Sequence, residues 1–245
     1  NITDVCARLH ENRLVVSEPV KKDDEYVRLR RPSFCPIHCM RQEERNELPD
    51  SVLNRGVDTG AAVLLESCDG KILLTRRAKH LRIFPGTWVP PGIEAGLREL
   101  EEETGLKVTN DICSMGKSSY PYRLSRGLPT RHHIVIYLHA KLIAPFTAEK
   151  MNTFLHPSRD ETDAAAWLDR DVIKAIVETD EESGKDASQD ILSNTLFIFN
   201  TYQVKDLPLL PLLNKAPDTG DDIERVSTGT KFALGEWLRI TSRIS

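Results

Sequence analysis

Arg98-Glu99-Leu100-Glu101-Glu102-Glu103-Thr104-Gly105-Leu106 is the stretch whose reading decides how this chain is understood. At 3.6 residues per turn, Glu99, Glu102 and Glu103 stand at i, i+3 and i+4 and share one helix face. Three carboxylates this close repel one another, so a bare helix gains nothing from the arrangement. A hard divalent cation removes that penalty, because magnesium takes oxygen ligands and keeps waters for a phosphate substrate. Leu97, Leu100 and Leu106 supply an apolar stripe, Arg98 can pair with Glu102, and Gly105 is placed to end the helix in a left-handed conformation. The competing reading is a solvated acidic face. The arginine in front, the apolar spacing and the glycine stop favour the metal site.

Working outward, Trp88-Val89-Pro90-Pro91-Gly92 predicts a short strand and a glycine turn ahead of the acidic run. Ala61-Ala62-Val63-Leu64-Leu65 suits a buried strand, Asp69-Gly70 is a hairpin signal, and Ile72-Leu73-Leu74-Thr75 returns as a second strand. Arg76 stands at that strand's end, and Arg77, Lys79 and Arg82 follow. Guanidinium groups suit bidentate phosphate contacts, which makes Arg76 and Arg82 the candidate substrate-binding residues. A solvated basic loop is the competing reading.

Beyond the acidic run, the segment from Tyr120 to Arg131 mixes aromatics with arginines. It either stacks on a base and touches phosphates or simply connects two strands at the surface. His132 to Ala140 predicts a strand whose histidines take core or edge roles, since none has a partner at zinc-site spacing. Ala164 to Leu168 predicts another strand, with Asp169 capping a helix from Arg170 to Glu178. Glu178 to Asp190 is acidic and turn-rich, hence a loop, and Thr230 to Leu238 suggests a packed helix.

A chain of 245 residues, 40% hydrophobic and 29% charged, has room for one sizeable core with extensions. The expected organisation is an N-terminal extension over 1–55, a catalytic domain over 56–180, and an acidic loop with a C-terminal extension packing on it over 181–245. A net charge of −4 argues against a broad nucleic-acid surface and against DNA as a partner, while leaving room for a local basic groove. No apolar run approaches a membrane span and no secretory signal is visible, so no membrane partner is expected. Five cysteines form no small-domain framework and imply a reducing, cytoplasmic setting. Cys35-Pro36-Ile37-His38-Cys39 lacks a second pair at zinc spacing and reads as a loop with incidental thiols.

Arg98-Glu99-Leu100-x-Glu102-Glu103-x-Gly105-Leu106 resembles the second half of the Nudix box, and Trp88 to Gly92 resembles the strand and turn that open it. The hairpin ahead of the box is similar too, as is Asp160-Glu161-Thr162-Asp163 before a strand containing Trp167. The resemblance implies an α/β fold, the Nudix-type α/β/α sandwich with a mixed β-sheet. It implies metal-dependent hydrolysis of a pyrophosphate bond in a nucleoside diphosphate-linked substrate. Glu99, Glu102 and Glu103 would hold Mg2+ or Mn2+, with Glu102 a ligand or the group that orients water, and Arg98 would hold the carboxylates in position. Glu161 matches a late carboxylate that in some members joins the metal or acts as base; a structural contact is the competing reading. Among substrates the resemblance admits, 7-methylguanosine-capped RNA is favoured by the aromatic-arginine segment, with coenzyme A derivatives or nucleotide sugars as the alternative.

One departure stands beside the glutamates. About thirteen residues separate glycine from arginine in the box; here only the five from Ile93 to Leu97 lie between Gly92 and Arg98. The box's middle glutamate falls in the missing part. A true deletion would imply a Nudix-fold module that binds without cleaving, whereas residues merely unobserved would leave the enzyme reading intact. Both flanks are whole and the splice falls in a loop, which favours the enzyme.

Overall fold

The computed structural model describes residues 2–10, 13–19, 26–92, 112–155, 160–179, 196–200 and 203–242. Its chain divides into two compact units, Asn1–Ala61 with Ile112–Tyr137, and Ala62–Asp111 with Leu138–Ser245.

In the second unit the Asp-Gly signal forms the expected turn between β4 (Val57–Glu66) and β5 (Ile72–Arg77). Gly70 takes a φ of 81°, open to glycine at no steric cost, and Ser67 N donates to Lys71 O at 2.8 Å. β9 (Thr162–Leu168) lies antiparallel on β5, with Leu73 opposite Trp167 and Leu74 opposite Ala166. β10 (Leu196–Asn200) and β11 (Gln203–Leu207) extend the sheet past β9. On the far side of β4, the end of β8 (Arg131–Lys141) joins, and Leu142 N donates to Glu66 O at 2.7 Å. β6 (Thr87–Val89) runs antiparallel to β5 but parallel to β12 (Arg225–Val226), so the sheet is mixed.

Val63 to Glu66 are buried on alternating sides, as in a strand covered on both faces. On one face Val63, Leu65, Leu73 and Trp167 pack with Met151 from the helical turn Ala148–Met151. Leu64 and Glu66 project to the other face, where Trp237 of the helix Thr228–Thr241 reaches Glu66. Leu64, Ile72 and Leu74 are fully buried, and each such side chain contributes about 1.5–3 kcal/mol. The helix Arg170–Glu178 begins where expected, with Asp169 Oδ1 accepting from Asp171 N at 3.1 Å and Val172 N at 2.9 Å. It packs on the helix Thr228–Thr241, including at Gly235, where a Cβ would sit 3.4 Å from Val177 Cγ1.

In the first unit β7 (Ile112–Tyr120) pairs with β8 and runs parallel to β3 (Val27–Arg30). β1 (Ile2–His10) is antiparallel to both β3 and β2 (Arg13–Ser17), and β2 contains the apolar run Leu14–Val16. β3 is an addition to the sequence reading: Val27 and Leu29 alternate with arginines inside a stretch whose charge density hides the period. Short helical turns follow at Pro36–Cys39, Gln42–Asn46 and Asp50–Leu53. Residues 93–111 and 180–195 lie outside the described residues.

Candidate active site

Two strands and a C-terminal segment deliver the chain to the glutamate run. Trp88 on β6 is fully buried, paired with Arg76 across β5 and with Val226 across β12. Ser227 N donates to Trp88 O at 3.0 Å. Thr75 Oγ1 donates to Val89 O at 3.3 Å, Val63 N donates to Pro91 O at 3.0 Å, and Gly92 bridges Ala62 on β4. Trp88 to Gly92 is therefore held along its length, and Gly92 lies beside β4.

Arg76 is the centre of this wall. Its Nε donates to Asp163 Oδ1 at 2.6 Å and its Nη1 to Glu224 Oε1 at 3.0 Å, with 13% of the side chain exposed. Glu224 Oε1 also accepts from Trp88 Nε1 at 3.0 Å, and the guanidinium lies 5.7 Å from the Trp88 ring. Burial pushes the Arg76 pKa down, but the bonds to Asp163 and Glu224 outweigh it and the net shift is upward. Nη2 makes no hydrogen bond to a described residue. Arg77 takes a different partner: its Nε and Nη2 donate to Ile83 O at 3.1 and 3.0 Å, shaping the loop that carries Arg82. Burial lowers the Arg77 pKa while the nearby Glu161 charge opposes that shift. Arg82 is exposed and pairs with no described side chain. Glu161 is exposed as well, and its carbonyl accepts from Ala78 N at 2.9 Å, tying the turn before β9 to the Arg82 loop.

Arg98, Glu99, Glu102 and Glu103 fall outside the described residues, as does the junction after Gly92. Among the described residues no group of three or more histidines, cysteines or carboxylates is placed to hold a metal ion. His132 and His133 bond Ser119 and Ser118 at 3.1 and 2.9 Å, and His139 meets Glu66 at 2.9 Å, the strand roles expected of them. The aromatic-arginine segment is the connection from β7 to β8, closed by Thr130 N donating to Tyr120 O at 2.8 Å. Its arginines cover the protein's own rings: Arg123 lies 4.1 Å from the Phe34 centroid and Arg126 4.7 Å from that of Tyr122.

Asp163 and Glu224 are the site residues that sequence reasoning missed. Asp163 stands two positions after the quoted Glu161, and nothing local singles it out. Glu224 lies 148 positions from the arginine it meets.

Residues 57–188 match the NUDIX domain. The chain is 43% identical to m7GpppN-mRNA hydrolase NUDT17 of Xenopus laevis, a match covering 94% of this chain and 81% of that protein. Its counterpart in Danio rerio is 42% identical over 96% of this chain and 84% of its own length. The Homo sapiens protein of the same name is 38% identical, covering 96% and 77% respectively. With more than half its length inside the domain and such similarity running nearly end to end, the chain belongs to the Nudix family and is a Nudix hydrolase of α/β fold.

Proposed function

We propose that this chain hydrolyses the pyrophosphate linkage of 7-methylguanosine-capped RNA. The observation that carries the reading is its similarity to proteins named m7GpppN-mRNA hydrolase, 43% identity across 94% of the chain. The wall around Arg76 supports it by holding Trp88 to Gly92, the strand and turn that open the Nudix box in the sequence.

Hydrolases of this family work with a divalent metal ion. The donor set here, three carboxylates at i, i+3 and i+4, suits a hard cation, and Mg2+ and Mn2+ are the candidates. When bound, such an ion lowers the pKa of its water and neutralises charge on the leaving phosphate. Glu99 and Glu103 would hold it through oxygen, and Glu102 would either complete the set or orient the attacking water. Arg98 keeps the carboxylates in position without touching substrate. Arg82 and the Nη2 edge of Arg76 receive substrate phosphates, while Glu161 serves as a structural tie. The proposed setting is cytoplasmic; no helix among the described residues is long and apolar enough to cross a membrane.

The test offers the purified chain capped RNA, coenzyme A derivatives, nucleotide sugars and dinucleotide polyphosphates, each with Mg2+ or Mn2+. Capped RNA is expected to be turned over best, releasing a 7-methylguanosine nucleotide. Glu103→Gln should lower kcat by about 10²–10³-fold, the cost of losing one charge-stabilising group. Preference for coenzyme A derivatives or nucleotide sugars would overturn the substrate, and wild-type turnover in the variant would overturn the site. Absence of all turnover would leave the binding module that the shortened box implies.

A further inference from the structure

The guanidinium of Arg76 holds two carboxylates and leaves an unused acceptor on each. Asp163 meets its Nε through Oδ1 at 2.6 Å, and Glu224 meets its Nη1 through Oε1 at 3.0 Å. Glu224 Oε1 also accepts the Trp88 indole N–H at 3.0 Å, so a single oxygen takes both bonds. Asp163 Oδ2, Glu224 Oε2 and Arg76 Nη2 bond to no described residue. All four side chains belong to the second unit.

Two carboxylates face one guanidinium, so the group carries more negative than positive charge. Ion pairs withdrawn from water are favourable only when their remaining lone pairs also find donors. The side chains of Asp163 and Glu224 are 27% and 23% exposed, against 13% for Arg76, and Trp88 is fully buried. The carboxylates are thus the open part of the group. Both are fixed by their backbone. Asp163 stands on β9, where Ala164 pairs with Arg76 itself. Glu224 directly precedes β12, and its carbonyl accepts from Asn214 Nδ2 at 2.9 Å. A ligand therefore meets acceptors already in place, with little ordering left to cost it affinity.

Acceptors on both sides of a guanidinium call for a ligand that brings donors. Phosphate oxygens of a pyrophosphate linkage only accept, whereas sugar hydroxyls donate as well. A nucleotide whose phosphate lies on Nη2 brings its ribose, the neighbouring group, within reach of the two carboxylates. A carboxylate accepting from a ribose hydroxyl is also the way dinucleotide-binding folds read the sugar. We propose that Asp163 and Glu224 determine specificity, their free oxygens accepting hydrogen bonds from the 2′ and 3′ hydroxyls of the substrate's terminal nucleoside. The inference rests on the reading of Arg76 as a substrate-binding residue, and it selects which end of the substrate lies there. At the capped end of the RNA only the 7-methylguanosine keeps both hydroxyls free, because the nucleoside after it is linked through its 3′ oxygen. Two acceptors then meet two donors.

The full chain, with Mg2+, is given a 7-methylguanosine cap dinucleotide and versions lacking the 2′, the 3′ or both hydroxyls of the methylated nucleoside. Each loss leaves a carboxylate oxygen unpaired, so kcat/KM should fall roughly 10–100-fold. Asp163→Asn turns its amide oxygen to Arg76 and presents an NH2 to the ligand. That variant should narrow the advantage of the intact dinucleotide over its deoxy versions about tenfold. Glu224→Gln should narrow it likewise. A residue acting through packing alone would slow intact and deoxy substrates by one factor, so the ratio between them reads the contact. Equal kcat/KM for the intact and dideoxy dinucleotides in the wild-type chain would overturn the proposal without any variant. Variants that leave the ratio unchanged would overturn it too. In a chain that cleaves nucleotide sugars rather than caps, UDP-glucose is compared with its 2′,3′-dideoxyuridine form. Discrimination there would support the carboxylate pair while removing the capped-RNA reading, and equal turnover would overturn the pair. Where nothing is turned over, binding of GMP against 2′,3′-dideoxyGMP decides in the same way.

Discussion

The wall around Arg76 in the second unit and the cluster around Lys117 in the first both gather charged side chains, with opposite balance of sign. Arg76 meets Asp163 and Glu224. Glu66, buried at the end of β4, receives Lys141 Nζ at 2.7 Å and Trp237 Nε1 at 2.9 Å and meets His139 Nε2 at 2.9 Å. Burial alone would raise the Glu66 pKa, but the bonds from His139, Lys141 and Trp237 override it and hold it at about 2. Around Lys117 and His132, burial and neighbouring cations push in the same direction, toward the neutral form. A charge driven further into its ionised form has found its partner inside the fold. One driven toward neutrality is held by packing rather than by an opposite charge. Arg77 belongs to neither group, being lowered by burial and bound to a carbonyl with only the Glu161 charge to offset the loss.

The largest effect that would break this contrast is at Glu66. Its folded pKa of about 2 lies below the ordinary 4.5, so its stabilisation is present in full above about pH 4.5 and is lost as pH falls toward 2. The shift corresponds to roughly 3 kcal/mol. Glu66→Gln should lose a comparable amount at pH 7, and urea unfolding of both proteins at pH 7 and pH 3 should converge at the lower pH. A variant as stable as wild type at pH 7 would show that the network does not hold the fold.

A smaller effect is expected at Glu224. Glu224→Gln removes the charge facing Arg76 while keeping an acceptor for Trp88, at a cost of about 1–2 kcal/mol. Turnover of a cap dinucleotide should drop several-fold through kcat. Wild-type kcat in the variant would show that the Arg76–Glu224 pair does not support the site.

The smallest effect sharpens the other side. His132 has a lowered pKa, so protonation favours the unfolded chain and its influence on stability turns unfavourable as pH drops below about 6.5. Arg31→Gln should move that pKa upward in an NMR titration, because it removes part of the like-charge repulsion. A pKa that stays put in the variant would leave burial and the Lys117 charge as the causes of the shift.

Local chemistry was legible in the sequence. The β4–β5 hairpin, the Asp169 cap and the strand from Arg131 each follow from period, turn residue or cap preference within a few positions. β3 escaped because four residues of alternation are too few to stand out among charges, and its pairing with β7 depends on residues far along the chain. The same distance hid the site's architecture. The spacing of Glu99, Glu102 and Glu103 needs no partner to be read, whereas the bonds of Arg76 to Asp163 and Glu224 join residues far apart in the chain. Charge segregation was present throughout, but whole-chain net charge averaged it away.

Two residues of β12, with Glu224 before them and Ser227 after, finish a strand made much earlier in synthesis. A chain halted at residue 188, where the family domain ends, would leave Trp88 without its indole acceptor and β6 with a bare edge. The piece that folds is thus longer than the piece the family pattern outlines. A stop codon ahead of Glu224 should behave as an active-site lesion, though every box glutamate would still be translated.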